Sequence, residues 1–150
     1  MSKNRLITFV ACFIVVFIVI IFTLSTQTYS SRLVLGGRTF SVEIADTKNL
    51  TEKGLSGHAP LAFNEGMFFA FKDSDVYGFW MKEMLFPIDI IWIDKDFRIV
   101  HIEKEVKPET YPKVFYPSLP AMYVLEISSG ESDKLGLQIG DPVRFVKKFF

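Results

Sequence analysis

The sequence GFWMKEMLFPIDIIWID, residues 78–94, contains both tryptophans of this 150-residue chain. The charged residues Lys82 and Asp89 lie inside this otherwise largely apolar segment. Because an unpaired buried charge is very costly, such residues mark either a structural ion pair or a functional site. The apolar runs on either side of the Lys82 loop predict two adjacent β-strands, residues 76–81 and 88–93.

Short β-rich runs also surround this segment on both sides. Runs at residues 32–35 and 38–45 flank Gly36-Gly37, which predicts a hairpin with a tight turn. Further strands are predicted at residues 66–71, 97–103, 122–127 and 143–146. A turn is predicted at residues 72–75, and short helices are predicted at residues 46–53 and 131–137. Residues 107–120 form a proline-rich loop. About eight short strands without βαβ alternation indicate a mainly β fold with two short helices. We expect a small antiparallel β-sandwich or a partly open barrel.

The N-terminal part of the chain has a different composition. Residues 6–24 form a run without charge, proline or glycine, and as a helix they would span about 28 Å, close to the hydrocarbon thickness of a bilayer. Lys3 and Arg5 precede this run, which predicts a cytoplasmic N-terminus and an exported remainder. A cleaved signal peptide is the alternative, but its apolar core is usually only about 7–15 residues. We therefore predict a single-pass protein of the cell membrane. Its parts are a cytoplasmic N-terminus (residues 1–5), a transmembrane anchor (6–24), a tether (25–31) and an extracytoplasmic β domain (32–150).

Composition excludes several classes of function for the exported domain. Apart from Lys3 and Arg5, all charged residues lie in it and nearly balance, which argues against nucleic-acid binding. Cys12 is the only cysteine, so the domain has neither disulfides nor cysteine-based zinc sites. His58 and His101 are too far apart in sequence to suggest a metal site, and no phosphate-binding loop is present. We therefore predict no metal and no cofactor.

Several motifs together resemble the family called domain of unknown function 192, also known as uncharacterised protein family 0127. They are TEKGLS (51–56), GMFF (66–69), FWMKEMLFPIDIIWID (79–94), YVLEISSG (123–130) and GDPV (140–143). The resemblance extends from residue 38 to residue 146 and implies a small, mostly β domain that is often exported or anchored. It implies no substrate and no catalytic residue. Glu83 and Ser56 depart from the family pattern, in which Asn and Met are frequent, and the carboxylate of Glu83 adds a charge beside Lys82.

The polar residues of these motifs are the candidate site. We hypothesise that Lys82, Asp89, Glu126 and Asp141 converge on one pocket, with Lys82 facing Asp89 or Glu126. A lysine with two carboxylates can support general acid–base catalysis. The alternative is a structural ion pair between Lys82 and one acid that closes the sheet. Asp141 also has the sequence context of a turn residue, and Glu126 that of the solvent-facing residue of an alternating strand.

Aromatic residues near these acids suggest a binding surface. The candidate lining consists of Phe79, Trp80, Tyr116 and Tyr123, and its alternative role is to pack loops onto the core. We expect a ligand-binding or accessory module of the cell envelope rather than an enzyme. The alternatives are a small hydrolase or lyase that uses Lys82, Asp89 and Glu126, and a structural partner of another envelope protein. The membrane is the expected partner of the N-terminal helix, and the other partner is an envelope protein or a small molecule.

Overall fold

The computed structural model describes residues 31–147. The predicted anchor at 6–24 and most of the tether therefore lie outside the described residues. Within the described part, no helix has the length and hydrophobicity needed to cross a membrane. The strands are β1 (Ser31–Leu35), β2 (Arg38–Ala45), β3 (Glu65–Asp75), β4 (Phe79–Trp80), β5 (Ile88–Ile93), β6 (Ile99–Val106), β7 (Val114–Phe115), β8 (Ala121–Ser128) and β9 (Arg144–Lys147). The helices are α1 (Lys48–Lys53), α2 (Glu131–Lys134) and a 3-10 turn (Pro108–Thr110).

The described strands form a mixed seven-stranded sheet and a separate two-stranded ribbon. The order in the large sheet is β6-β5-β8-β3-β2-β1-β9, and the ribbon pairs β4 with β7. The fold is mainly β with two short α-helices, as predicted, but the expectation of a purely antiparallel sheet is wrong. β2 and β3 run parallel, with Ser41 opposite Glu65 and Ala45 opposite Phe69. The intervening α1 and its loop carry the chain back across the sheet, as a parallel connection requires.

Backbone hydrogen bonds connect the two edges of the large sheet at one end. The amide of Ile99 donates to the carbonyl of Asp141 over 3.0 Å, and the amide of Val143 donates to the carbonyl of Phe97 over 2.9 Å. These residues lie next to β6 and β9, which are the edge strands. Part of each edge is therefore paired rather than exposed.

Both faces of the central strands are buried. One face contributes Met67, Phe69 and Trp92 to a first core, which also contains residues of the β4–β7 ribbon. The opposite face contributes Phe68 and Leu125 to a second core that includes β1 and β2 side chains. Burial on both faces explains why every residue of β5 is buried and why its sequence is almost continuously apolar.

Local predictions were correct where the pattern was strong and wrong around residue 75. The hairpin at Gly36-Gly37, the strand at residues 88–93 and the helix ending at Lys53 are confirmed. The turn predicted at residues 72–75 is wrong, because β3 continues through Asp75. The strand predicted at residues 76–81 is reduced to β4, and it pairs with β7 instead of β5. Residues 78–94 thus supply strands to two different sheets.

Candidate functional site

A pocket of about 270 Å³ lies on the first-core side of the large sheet. Five aromatic side chains line it, namely Phe69, Phe71, Tyr77, Phe79 and Trp80. Residues 51–56, from the end of α1 and the following loop, form another part of the wall, together with Met84. Glu126 of β8 also lines the pocket. This combination of apolar walls with a buried acidic group is typical of a small-molecule site.

The carboxyl group of Glu126 is buried without a partner. The residue is only 4% exposed, and its Oε2 makes no hydrogen bond to any described residue. Its neighbours across the sheet are Met67 on β3 and Ile90 on β5, which offer only apolar side chains. Desolvation by burial raises the pKa of Glu126 to about 8. At neutral pH the group is therefore mainly a protonated acid that can both donate and accept a hydrogen bond.

The aromatic walls of the pocket are packed against one another. The ring of Phe79 meets Phe69 edge-on at a centroid distance of 4.9 Å and Trp92 at 5.8 Å. Phe71 and Tyr77 stack with their centroids 3.6 Å apart. Such contacts hold rings in defined positions. Trp80 differs because it is 50% exposed, so it forms the outer rim of the pocket.

Hydrogen bonds tie the loop after α1 to the turn that follows β4. The hydroxyl of Ser56 donates to the carbonyl of Lys82 over 2.8 Å, and the amide of Gly57 donates to the carbonyl of Glu83 over 2.9 Å. Glu83 has a left-handed backbone conformation, with φ at 56°, which places its carbonyl in this turn. The two segments that carry Leu55 and Met84 into the pocket wall are therefore connected.

Asp89 has a structural environment that is separate from the pocket. Its Oδ1 accepts hydrogen bonds from the amides of Glu105 (2.8 Å) and Gly130 (3.1 Å). Its Oδ2 accepts from the amide (2.9 Å) and the hydroxyl (2.5 Å) of Ser132. The fully buried carboxylate therefore connects β5 to β6 and to the start of α2.

The sheet register separates Asp89 from Glu126. Asp89 lies opposite Ile127, and Ile90 lies opposite Glu126. Since successive side chains point to opposite faces of a strand, the two acids lie on opposite sides of the sheet. The hypothesis that they converge on one pocket is therefore wrong. A hydrolase or lyase that uses both acids with Lys82 has no geometric support.

Lys82 and Asp141 lie elsewhere on the domain. The side chain of Lys82 is exposed, and no described residue forms an ion pair with it, so the predicted ion pair with Asp89 or Glu126 is wrong. The position is exposed because the neighbouring Met81 and Met84 are the buried residues of this turn. Oδ2 of Asp141 accepts a hydrogen bond from the amide of Gln138 over 2.8 Å and thereby holds a turn.

Two of the four predicted aromatic residues line the pocket with Glu126, namely Phe79 and Trp80. Tyr116 packs on the outside, where a Cβ at Gly78 would approach its Cε1 to 2.5 Å. Tyr123 is in the second core, stacked on Phe97 at 4.7 Å, because it lies on the face opposite Glu126.

The sequence argument missed three aromatic residues of the pocket, Phe69, Phe71 and Tyr77. Phe69 and Phe71 follow Met67 at alternate positions of β3, and Met67 lies opposite Glu126. This alternation could have indicated that Phe69 and Phe71 share one face of β3 with Met67. Placing that face beside Glu126 also required the knowledge that β3 pairs with β8. The interpretation of Glu126 as solvent-facing is also wrong, because β8 lies between two strands and both of its faces are covered.

The fold and pocket define a small mixed-sheet β domain with a buried acid at the base of an aromatic pocket. The chain belongs to the DUF192 family (Uncharacterized ACR), whose model matches residues 32–145. A crystal structure of a protein of unknown function from Novosphingobium aromaticivorans is 31% identical, with a TM-score of 0.70, over 76% of this chain and 81% of that one. A "putative transcription regulator" from Sinorhizobium meliloti is 28% identical, with a TM-score of 0.72, over 80% and 96% of the two chains. No curated protein matches the chain.

Proposed function

We propose that this domain is a ligand-binding module whose ligand enters the aromatic pocket and contacts the carboxyl group of Glu126. The observation that carries the proposal is the buried Oε2 of Glu126, which has no hydrogen-bond partner among the described residues. A buried polar group without a partner costs about 1–3 kcal/mol of folding stability. A ligand that pairs with the carboxyl group of Glu126 would offset part of that cost.

The dimensions of the pocket limit the size of the ligand. Its volume of about 270 Å³ is slightly below the range of about 300–1,000 Å³ that is common for drug-sized ligands. The ligand is therefore a small molecule, or one side-chain-sized group of a larger one. The five aromatic rings supply apolar contact, and the buried acid Glu126 fixes the orientation of the bound group.

We further propose that the module is held at the outer surface of the cell membrane. The support is the uncharged run at residues 6–24 with Lys3 and Arg5 before it. A tether over residues 25–31 would keep the domain close to the bilayer, within the cell envelope. The ligand would then be a component of that compartment.

Methionine methyl groups offer a direct test on the full-length chain in lipid nanodiscs. The chain has five methionines, of which Met84 lines the pocket and Met122 does not. Three five-carbon probes, n-pentanol, n-pentanoate and n-pentylammonium, would be titrated while methyl NMR signals are recorded. We expect at least one probe to shift the Met84 signal in a saturable manner and to leave Met122 unchanged. If none of the three does so, the proposed function is wrong.

A further inference from the structure

We infer that the ligand of this pocket is an organic cation, a primary alkylammonium group that forms an ion pair with Glu126. The inference rests on the proposed function and names its ligand class. It depends on three observations: the isolation of the acid, the aromatic surroundings, and the absence of a competing cation at the base of the pocket among the described residues.

In the described part of the chain, the floor of the pocket contains one acidic side chain and no basic side chain. The elements packed beside Glu126 contribute Met67 and Phe69 from β3 and Ile90 from β5, none of which is charged. The charged residues of the wall are Glu52 and Lys53 on α1, and both are exposed. The hydroxyl of Tyr77 donates to the carbonyl of Asp73 over 2.7 Å. A buried carboxylate needs a cation to offset its desolvation, and the described residues do not supply one.

The aromatic rings also favour a positively charged ligand. A cation is attracted to the faces of aromatic rings, and this attraction strengthens where water is excluded. Five aromatic side chains line the pocket together with the buried acid Glu126. An anionic ligand would meet aromatic walls and a carboxyl group, and it would find no buried cation among the lining residues. A neutral ligand would gain from apolar contact and one hydrogen bond alone.

Binding of the ammonium group has a defined proton balance. The ammonium keeps its protons, since its pKa of about 10.4 is far above neutrality. Glu126 loses its carboxyl proton to the solvent and becomes the carboxylate of the ion pair. Because the free carboxyl has a pKa of about 8, binding at pH 7 releases about 0.9 proton per ligand. Affinity for the cation should therefore rise about tenfold between pH 6 and pH 7.

The three-probe titration described above also tests this inference. We expect n-pentylammonium to bind more tightly than n-pentanol and n-pentanoate. We expect Glu126→Gln to weaken it by about 10- to 100-fold, the loss typical of a charged hydrogen bond. The matched control is Glu109→Gln, which removes an exposed carboxylate that does not line the pocket and should change the affinity by no more than about twofold.

Other outcomes separate the two proposals. If n-pentanol or n-pentanoate binds as tightly as the cation, the inference is overturned and the ligand-binding function stands. If no probe binds, both fail. Calorimetry of the unaltered protein in buffers of different ionisation enthalpy gives an independent measurement that does not depend on how Glu126→Gln folds. Cation binding without proton release would also overturn the inference.

Discussion

Asp89 and Glu126 lie one register position apart on neighbouring strands, yet they are on opposite faces of the same sheet. Both are buried, at 0% and 4% exposure. Asp89 accepts four hydrogen bonds, whereas the buried Oε2 of Glu126 has no partner among the described residues. Two acids of similar burial therefore have different environments: hydrogen bonds connect Asp89 to the rest of the fold, whereas we propose that Glu126 binds a ligand.

Replacing Asp89 should strongly destabilise the domain. Asp89→Asn substitutes an NH2 group for one acceptor oxygen, which leaves buried donors of Ser132 or of Glu105 and Gly130 unpaired. We expect a loss of about 3 kcal/mol in the free energy of unfolding, measured by urea denaturation. Ser132→Ala removes the hydroxyl donor alone, and it should cost about 1 kcal/mol. Equal stability of Asp89→Asn and the unaltered protein would contradict the structural role.

Glu126 should make the domain less stable as the pH rises. Its pKa is about 8 in the folded state against 4.5 in the reference state, so the unfolded chain binds fewer protons between these values. The stability associated with the protonated acid is fully present below pH 4.5 and is lost progressively up to about pH 8. The full loss in the free energy of unfolding, relative to its value below pH 4.5, is on the order of 4–5 kcal/mol.

Glu126→Gln provides the comparison, because glutamine does not titrate. Urea unfolding at pH 5 and pH 8 should show that the variant gains stability relative to the unaltered protein as the pH rises. Glu109→Gln, at an exposed position, should show no such gain. Parallel pH profiles for the unaltered protein and Glu126→Gln would show that Glu126 is ionised at neutral pH.

Local patterns predicted much of the fold, since β1, β2, β5 and α1 depend on short-range signals such as Gly36-Gly37 and the Thr47 cap. The side chain of Thr47 accepts a hydrogen bond from the amide of Leu50, as an N-cap residue does. The parallel pairing of β2 with β3 was missed because it depends on where the chain returns after α1. The alternation of residues within either strand does not show whether the two strands pair in parallel.

The candidate site was predicted only in part, for a related reason. Alternation assigns Glu126 to one face of β8, but it does not show whether that face is covered. The cover comes from α1, the ribbon and the turn at Met84, which are distant in sequence. The partners of Asp89 come from positions 105, 130 and 132, so no local signal distinguished it from a ligand-binding acid.

Lys82 should contribute little to stability despite its apolar sequence context. Its side chain is exposed and forms no ion pair with a described residue. Lys82→Ala should change the free energy of unfolding by less than about 0.5 kcal/mol, as is usual for surface substitutions. Ser56→Ala removes the hydroxyl that donates to the Lys82 carbonyl, so it should cost more, about 1 kcal/mol. A loss of several kcal/mol in Lys82→Ala would instead restore the ion-pair hypothesis.

Two glycines, Gly66 of β3 and Gly78 just before β4, should respond differently to the same added methyl group. A Cβ at Gly66 would lie 2.7 Å from the backbone carbonyl oxygen of Glu126, which is fixed by the pairing of β3 with β8. The atoms nearest to a Cβ at Gly78 would be side-chain atoms, those of the Tyr116 ring at 2.5 Å and Cγ1 of Val114 at 2.7 Å. Tyr116 is 57% exposed and Val114 lies on the short strand β7, so both side chains can shift more easily than the backbone of the large sheet.

Gly66→Ala should therefore destabilise the domain by about 1–3 kcal/mol, because strands must separate to relieve the overlap. Gly78→Ala should cost less than about 1 kcal/mol, and it should shift the Tyr116 ring signals in an NMR spectrum while the Met67 methyl signal stays in place. The opposite ranking of the two variants would mean that the ribbon is more rigid than the β3–β8 pair. Thermal unfolding of the two variants, measured side by side, decides between these outcomes.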